Sequence, residues 1–260
     1  MKLAQFIERR PYRFLAIMEA VVMIVYLLAG TCAYLLGLSN MTLYGLANVG
    51  LTLVVIVLLT KLKWWETVGF KPLQRRGDLL YFLIPLIPAI LNLIPGMQIE
   101  SFAQVSAVFA VTLAVAFAEE TVFRGLMLQA IKPFGHWRAA IVTALLFGLT
   151  HAMNALTGKD LLESAMQIGY ATAIGFAYAA LALKKDALWL LILSHFLTDF
   201  IFFLQKPGFV MPPFWQSLIV ITMTITFTAY GIFMMRQKSR LQIRPAQDSQ
   251  AQRASEGNNA

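Results

Sequence analysis

Charged residues are scarce in this chain, and cysteine is almost absent. Only 13% of the 260 residues are Asp, Glu, Lys or Arg, whereas a soluble domain carries about 25%. The single cysteine, Cys32, excludes an internal disulfide and a cysteine-rich metal site. Cys32 lies inside a long apolar run, so we expect a small core residue there. The shortage of charge argues against a soluble domain.

Long apolar runs take the place of the missing charges, and 59% of the residues are hydrophobic. Runs of 18 or more nearly uncharged residues are typical of transmembrane helices. The sequence therefore predicts an all-α, polytopic membrane protein with a bundle of about eight transmembrane helices. The first run is too long for a signal peptide and is expected to remain as an anchor. The predicted spans are about 14–37, 41–60, 79–96, 101–130, 138–156, 161–183, 187–204 and 213–235.

Two of these spans have unusual composition. The third contains Pro85, Pro88 and Pro95, and proline removes helical hydrogen bonds, so we expect a kinked or broken segment. The sixth has Gly169, Ala173 and Ala177 at four-residue spacing. Small residues on one face let helices approach closely, so this stripe predicts tight packing.

The chain divides into four parts by composition. Residues 1–13 are a basic amphipathic lead-in at the membrane surface, and residues 14–100 are N-terminal transmembrane helices. Residues 101–235 form the second transmembrane domain, which contains polar groups within its spans. Residues 236–260 are polar without periodicity, which predicts a disordered cytoplasmic tail.

The basic residues indicate orientation rather than nucleic-acid binding. With the N-terminus inside and eight spans, 18 of the 21 Lys and Arg residues lie on the inner side, and only Lys159 and Lys206 lie outside. Cytoplasmic loops are rich in Lys and Arg, so both termini are predicted to be cytoplasmic. We therefore expect a multi-pass integral membrane protein, located in the plasma or inner membrane if the source is bacterial.

Three charged residues lie close together in the fourth span: Glu119, Glu120 and Arg124. A charge at mid-bilayer costs about 2.5–3.5 kcal/mol on insertion scales, so each needs a compensating contact. Glu120 and Arg124 are four residues apart and are predicted to form an ion pair. Glu119 is turned roughly 100° away on the helix, and its side chain is therefore free for another role.

Two further spans carry polar groups at a similar depth. His151 lies in the fifth span, and His195 and Asp199 share a face of the seventh. At 1.5 Å per residue, these groups and Glu119 lie about 12–20 Å from the cytoplasmic edge. Each alone fits a packing or hydrogen-bonding role, but their common depth favours one functional site.

Such a cluster has a limited range of chemistry. A glutamate can act as general base toward water, while an imidazole or a bound metal holds the water. A second imidazole can stabilise the oxyanion of a tetrahedral intermediate. This set suits peptide hydrolysis with or without a metal. Ser194 would point off the face of His195, and no H-E-x-x-H motif is present.

Three motifs in order carry a family resemblance: Glu119-Glu120-x-x-x-Arg124, Phe147-x-x-x-His151 and His195-x-x-x-Asp199. Together they resemble the CPBP family of CAAX proteases and bacteriocin-processing enzymes (Abi domain), which includes the type II CAAX prenyl endopeptidases. The segment Val68-Gly-Phe-Lys-Pro72 is similar to a common feature of that family.

The resemblance implies roles for individual residues. The implied catalytic residues are Glu119, His151, His195 and Asp199, with Glu119 and His151 activating water and the other two on the oxyanion side. Structural support is implied for Glu120, Arg124 and Phe147. The prenyl endopeptidases carry Asn at the place of Asp199. Because an ionised carboxylate cannot donate a hydrogen bond, Asp199 has two further possible roles, the orientation of His195 and the binding of a metal. We expect no cofactor, with Zn²⁺ on Glu119, His151 and His195 as the alternative.

The sequence thus predicts an intramembrane endopeptidase that acts on a membrane-associated peptide or lipidated protein, a C-terminally prenylated CAAX protein being one such substrate. The bilayer is an expected partner, and nucleic acid is not. Two other hypotheses fit the residues. One is a non-catalytic membrane binding or immunity protein on the same fold. The other is a proton-coupled transporter, although no inverted repeat with paired broken helices is apparent.

Overall fold

The computed structural model describes residues 3–153 and 160–237, and within these ranges every named element is helical. The predicted all-α class is therefore confirmed. The ten α-helices of the described residues are α1 Leu3–Arg9, α2 Pro11–Leu36, α3 Asn40–Leu62, α4 Ile87–Leu91, α5 Phe102–Glu120, α6 Leu128–Ile131, α7 His136–Thr150, α8 Leu161–Lys185, α9 Leu188–Phe203 and α10 Pro213–Arg236.

Polar side chains begin several of the long helices. The Ser39 hydroxyl accepts from the Thr42 backbone N–H at 3.2 Å before α3, and Ser101 accepts from Gln104 at 3.1 Å before α5. Asp160 caps α8 in the same way. A side-chain oxygen at this position satisfies one of the free N–H groups of the first turn. These caps explain why the helices begin within a residue or two of the predicted boundaries.

Among the described residues, five helical segments are long and apolar enough to cross a membrane, and α9 is a shorter apolar helix. The five are Pro11–Leu36, Gly45–Leu62, Phe102–Phe134, Leu161–Lys185 and Pro213–Arg236. They correspond to the first, second, fourth, sixth and eighth predicted spans, so the predicted multi-pass membrane location is confirmed. The sidedness of the loops stays a prediction, since Lys159 and the tail from residue 238 lie outside the described residues.

The proline-rich third span is broken, as predicted. Two 3₁₀ segments, Arg76–Phe82 and Ile84–Leu86, precede the short helix α4. The Asn92 amide after α4 donates to the Thr198 carbonyl at 3.0 Å, and the Asn92 carbonyl accepts from Gln205 at 2.9 Å. The broken span therefore holds the C-terminal half of α9, the helix that carries His195 and Asp199.

The fourth predicted span is one helical segment with a change of winding in its middle. A π-helical turn, Thr121–Met127, joins α5 to α6, and all seven of its residues are buried. Its first residue follows Glu120 directly, and Arg124 lies within it. Single π-turns inside α-helices are frequent at functional sites, and this one lies where the charged residues occur.

The close contact between α7 and α8 depends on Gly148, and not on Gly169, the glycine that the sequence predicted. A Cβ added to Gly148 would lie 2.0 Å from Thr172 Oγ1 and 3.1 Å from the Ile168 carbonyl oxygen. Ala173 and Ala177 are buried as expected, whereas Gly169 is exposed and its Cβ would meet nothing within 4 Å. The predicted stripe is thus wrong at Gly169, which lies on the outer side of α8.

The prediction that Cys32 is a core residue is also wrong, because its side chain is exposed on α2. Leu27, Leu28 and Leu35 of the same helix are more than half exposed. Lipid is as apolar as a protein core, so an apolar position in a membrane helix need not face the interior.

The predicted span 138–156 ends as helix α7 at Thr150, and residues 154–156 lie outside the described ranges.

The loop Val68–Pro72 packs against the junction between α8 and α9. Gly69 has φ +103°, and a Cβ there would lie 2.7 Å from the Leu188 backbone nitrogen. Trp189 Nε1 donates to the Lys71 carbonyl at 3.1 Å, and Lys71 forms a salt bridge with Asp186. This loop therefore positions the start of α9, about two turns before His195.

Candidate active site

A cavity of about 360 Å³ lies among α4, α5, α7, α8, α9 and α10. Its polar lining contains most of the residues that the sequence singled out: Glu120, Arg124, His151, His195 and Asp199. Phe147 also lines it. Glu119 is not among the lining residues, although its Oε2 lies 4.0 Å from His195 Nε2. The fold thus brings the three motifs together, with Glu119 beside the cavity rather than in its wall.

His195 lies between carboxylates at both ring nitrogens. Its Nδ1 is 2.9 Å from Glu120 Oε1, and its Nε2 is 3.3 Å from Asp199 Oδ2. An ionised carboxylate only accepts hydrogen bonds, so both contacts are satisfied only when each nitrogen carries a hydrogen. The geometry therefore favours an imidazolium at position 195.

Glu120 has two cationic neighbours on one oxygen. Arg124 Nη1 donates to Glu120 Oε1 at 3.0 Å, and His195 Nδ1 contacts the same atom. The side chains of Glu120 and Arg124 are each 1% exposed, and the Arg124 guanidinium lies 4.0 Å from the centre of the Phe147 ring. Unpaired charges in such a place would be strongly destabilising, so this pair has a clear architectural role.

Glu119 has a different environment from its neighbour. The Tyr26 hydroxyl lies 3.0 Å from Glu119 Oε1, and the same hydroxyl lies 3.0 Å from Asn48 Oδ1. The Glu119 side chain is 16% exposed, compared with 1% for Glu120. One oxygen of Glu119 is therefore held by a neutral hydroxyl, while the other faces His195.

His151 ends helix α7 with a defined ring orientation. Its Nδ1 lies 2.9 Å from the Phe147 carbonyl oxygen, and a carbonyl accepts only from a protonated nitrogen. In the neutral ring, Nε2 is then the unprotonated nitrogen and can accept a hydrogen bond. The phenyl ring of Phe147 lies edge-on to this imidazole at 4.9 Å between centres.

The cavity has polar atoms that need a partner. Glu120 Oε2, Arg124 Nη2 and the Tyr178 hydroxyl are buried and have no hydrogen-bond partner within residues 3–153 and 160–237. All three residues line the cavity. Because buried polar atoms are nearly always hydrogen-bonded, this lining is suited to hold water.

In the part of the chain that the structure describes, no three His, Cys, Asp or Glu side chains come together in a way that could hold a metal ion. Glu119, His151 and His195 were the ligands suggested for Zn²⁺. His195 already has a carboxylate at each ring nitrogen, and a ring so placed has no free lone pair for a metal.

Several polar residues near the site were not identified from the sequence, among them Glu19, Tyr26, Asn48 and Thr150. Glu19 is 6% exposed, and its Oε1 accepts from the Thr150 hydroxyl at 3.0 Å, next to His151. Asn48 is fully buried. A polar residue inside an apolar helix is itself a signal, and this signal could have identified Asn48. Ser194 has no part in the site, since its hydroxyl donates to the Leu190 carbonyl.

Comparison with family models gives a match over residues 101–201 to the family described as type II CAAX prenyl endopeptidase Rce1-like. Residues 101–201 are similar to this family and are called the Rce1-like segment. The match confirms the resemblance that the motifs indicated, and it supports membrane peptidase activity because the family is one of membrane peptidases. Comparison with curated proteins and with solved structures gives no match.

The Rce1-like segment contains all four residues with predicted catalytic roles. It does not contain Glu19, Tyr26 or Asn48, which belong to α2 and α3. The polar groups next to Glu119 and Thr150 therefore come from a part of the chain that the family model does not cover.

Proposed function

We propose that this protein is an intramembrane endopeptidase in which Glu119 is the general base toward water. The observation that carries the proposal is the unequal environment of the two adjacent glutamates. Glu120 contacts both Arg124 and His195 through one oxygen, whereas Glu119 Oε2 lies 4.0 Å from His195 Nε2 and has no closer cation among the described residues. A carboxylate oxygen that no cation contacts closely can take a proton from water.

The hydrolytic step follows from these positions. A water beside Glu119 Oε2 gives a proton to that oxygen, and its own oxygen bonds to the peptide carbonyl carbon. The carbonyl electron pair moves onto oxygen, where the His195 imidazolium stabilises the developing charge. The carbon–nitrogen bond then breaks, and the amine takes the proton that Glu119 had accepted. His151 Nε2 accepts a hydrogen bond from the same water and orients it.

Asp199 acts by orienting His195 in this proposal. Its Oδ2 lies 3.3 Å from His195 Nε2, so the carboxylate is an acceptor at that distance and not an oxyanion donor. A carboxylate on an imidazole selects its protonation and its ring plane. This orienting role was one of the alternatives that the sequence left open for Asp199.

The proposed reaction requires no metal. The support is the arrangement of donors, since His195 meets carboxylates at both nitrogens. The proposed substrate is a membrane-associated peptide, and a C-terminally prenylated CAAX protein is the class that the Rce1-like match favours. Ile174, Ile219, Val220 and Met223 line the cavity beside the polar groups and provide an apolar surface for substrate side chains.

The decisive experiment is a cleavage assay on the purified protein in detergent. Prenylated and unmodified CAAX peptides are compared for wild type, for Glu119→Gln and for Glu163→Gln, an exposed glutamate on α8 that serves as the matched control. We expect Glu119→Gln to reduce kcat at least about 100-fold, while Glu163→Gln keeps wild-type activity. A chelator is expected to have no effect on the rate.

Three results would contradict the proposal in whole or in part. Full activity of Glu119→Gln would exclude this residue as the base. Absence of cleavage by the wild type on every membrane-associated peptide would favour the non-catalytic binding protein. Loss of activity with a chelator, restored by Zn²⁺, would replace the metal-free mechanism with a metal-dependent one.

A further inference from the structure

The hydroxyl of Tyr26 joins two buried polar groups on different helices. It lies 3.0 Å from Asn48 Oδ1 on α3 and 3.0 Å from Glu119 Oε1 on α5. Tyr26 itself belongs to α2, so three transmembrane helices meet at one oxygen. Asn48 is fully buried, and burial of an amide in an apolar helix is unfavourable unless it is hydrogen-bonded.

A tyrosine hydroxyl has one proton and can donate it to one acceptor only. A hydrogen bond to an ionised carboxylate is roughly twice as strong as one between neutral groups, so the proton belongs on the side of Glu119. We therefore assign the Asn48 NH₂ to the side of the tyrosine oxygen, because exchanging the amide oxygen and nitrogen keeps the heavy-atom positions and lets the tyrosine oxygen accept. The direction of donation is thus from Asn48 to Tyr26 to Glu119.

This chain holds one oxygen of Glu119 and leaves the other available. Glu119 Oε1 accepts from Tyr26, while Oε2 lies 4.0 Å from His195 Nε2. A carboxylate held through one oxygen keeps its second oxygen in a defined direction, which a general base requires because geometry governs proton transfer. A glutamate without this contact would rotate about its side-chain bonds.

We propose that Tyr26 and Asn48 are positioning residues for Glu119, and that α2 and α3 therefore contribute to the activity of the Rce1-like segment. This inference rests on the proposed function of Glu119. It goes beyond that function because both residues lie outside residues 101–201.

Kinetic measurement of Tyr26→Phe tests the role. The substitution removes one oxygen and keeps the ring, so we expect kcat to fall about tenfold or more while KM stays within about twofold. The matched control is Tyr34→Phe on the same helix, where the side chain is 87% exposed, and no change is expected. Asn48→Leu should lower kcat less, and the double variant Tyr26→Phe/Asn48→Leu should be no slower than Tyr26→Phe alone.

Different results separate this inference from the proposed function. If Glu119→Gln is inactive but Tyr26→Phe has wild-type kcat, the positioning role is overturned and the function stands. A raised KM with an unchanged kcat would also overturn it, because it would indicate a role in substrate binding and not in the chemical step.

A second measurement does not depend on activity. Thermal unfolding midpoints of Tyr26→Phe, Glu119→Ala and the double variant form a double-mutant cycle. We expect the shift of the double variant to be smaller than the sum of the single shifts, because both substitutions break the same hydrogen bond. Additive shifts would overturn the contact, whether or not the wild type cleaves a peptide.

Discussion

The adjacent residues Glu119 and Glu120 differ in their closest contacts, which are Tyr26 for Glu119 and both His195 and Arg124 for Glu120. Helical spacing predicts the contact between Glu120 and Arg124, and the structure contains it at 3.0 Å. Spacing does not predict that His195 also contacts Glu120, because this partner comes from another helix. The result is that Glu120 is neutralised from two sides while Glu119 is not.

At this scale we expect Glu120→Gln to destabilise the protein strongly. The substitution leaves the buried Arg124 guanidinium without its countercharge, and breaking a buried pair in this way costs about 3–5 kcal/mol. Thermal unfolding in detergent should show a much lower midpoint for Glu120→Gln than for Glu119→Gln. Similar midpoints for the two variants would contradict the architectural role of Glu120.

Helix contacts place His151 near the other motifs. Three residues before it, Gly148 allows α7 to approach α8 so closely that a Cβ would lie 3.1 Å from the Ile168 carbonyl oxygen. Gly175 on α8 has a similar role, since its Cβ would lie 3.2 Å from Phe147 Cδ1. The sequence predicted close packing on α8, but it could not identify the face, because apolar side chains surround the helix.

We therefore expect Gly148→Ala to separate α7 from α8. Extra volume in a well-packed contact costs about 1–3 kcal/mol, and the shift of His151 should also reduce the rate of cleavage. The measurements are the unfolding midpoint and kcat. Gly169→Ala is the matched control on α8. Its Cβ would meet nothing within 4 Å, so stability should be unchanged or higher by about 0.4–1 kcal/mol. Equal destabilisation by both variants would contradict this account.

In the molecule as a whole, the region before residue 101 is attached to the Rce1-like segment by charged contacts at the α8–α9 junction. Lys185 Nζ lies 3.0 Å from Asp78 Oδ1, and both side chains are less than a tenth exposed. Lys185 also lies over the ring of Tyr81 at 3.6 Å. The salt bridge between Lys71 and Asp186 joins the same two regions, but its side chains are about one third exposed.

The two contacts should differ in strength. We expect Lys185→Met to cost about 3–5 kcal/mol because it removes one side of a buried ion pair. Lys71→Met should cost about 0–1 kcal/mol, since an exposed pair is screened by water. Thermal unfolding of the two variants checks this difference. A larger effect of Lys71→Met would show that the exposed loop, and not the buried pair, joins the two regions.

The sequence by itself determined the membrane class, the broken third span, the Glu120–Arg124 pair and the common depth of the polar groups. These features depend on the length of apolar runs, on proline and on helical spacing, all of which are local. Only the tertiary structure decided that Tyr26 and Asn48 reach Glu119, that Cys32 faces outward, and that His195 lies between Glu120 and Asp199. Such contacts depend on how each helix is rotated about its axis. Because lipid and protein core are both apolar, the hydrophobic pattern of a membrane helix does not specify that rotation.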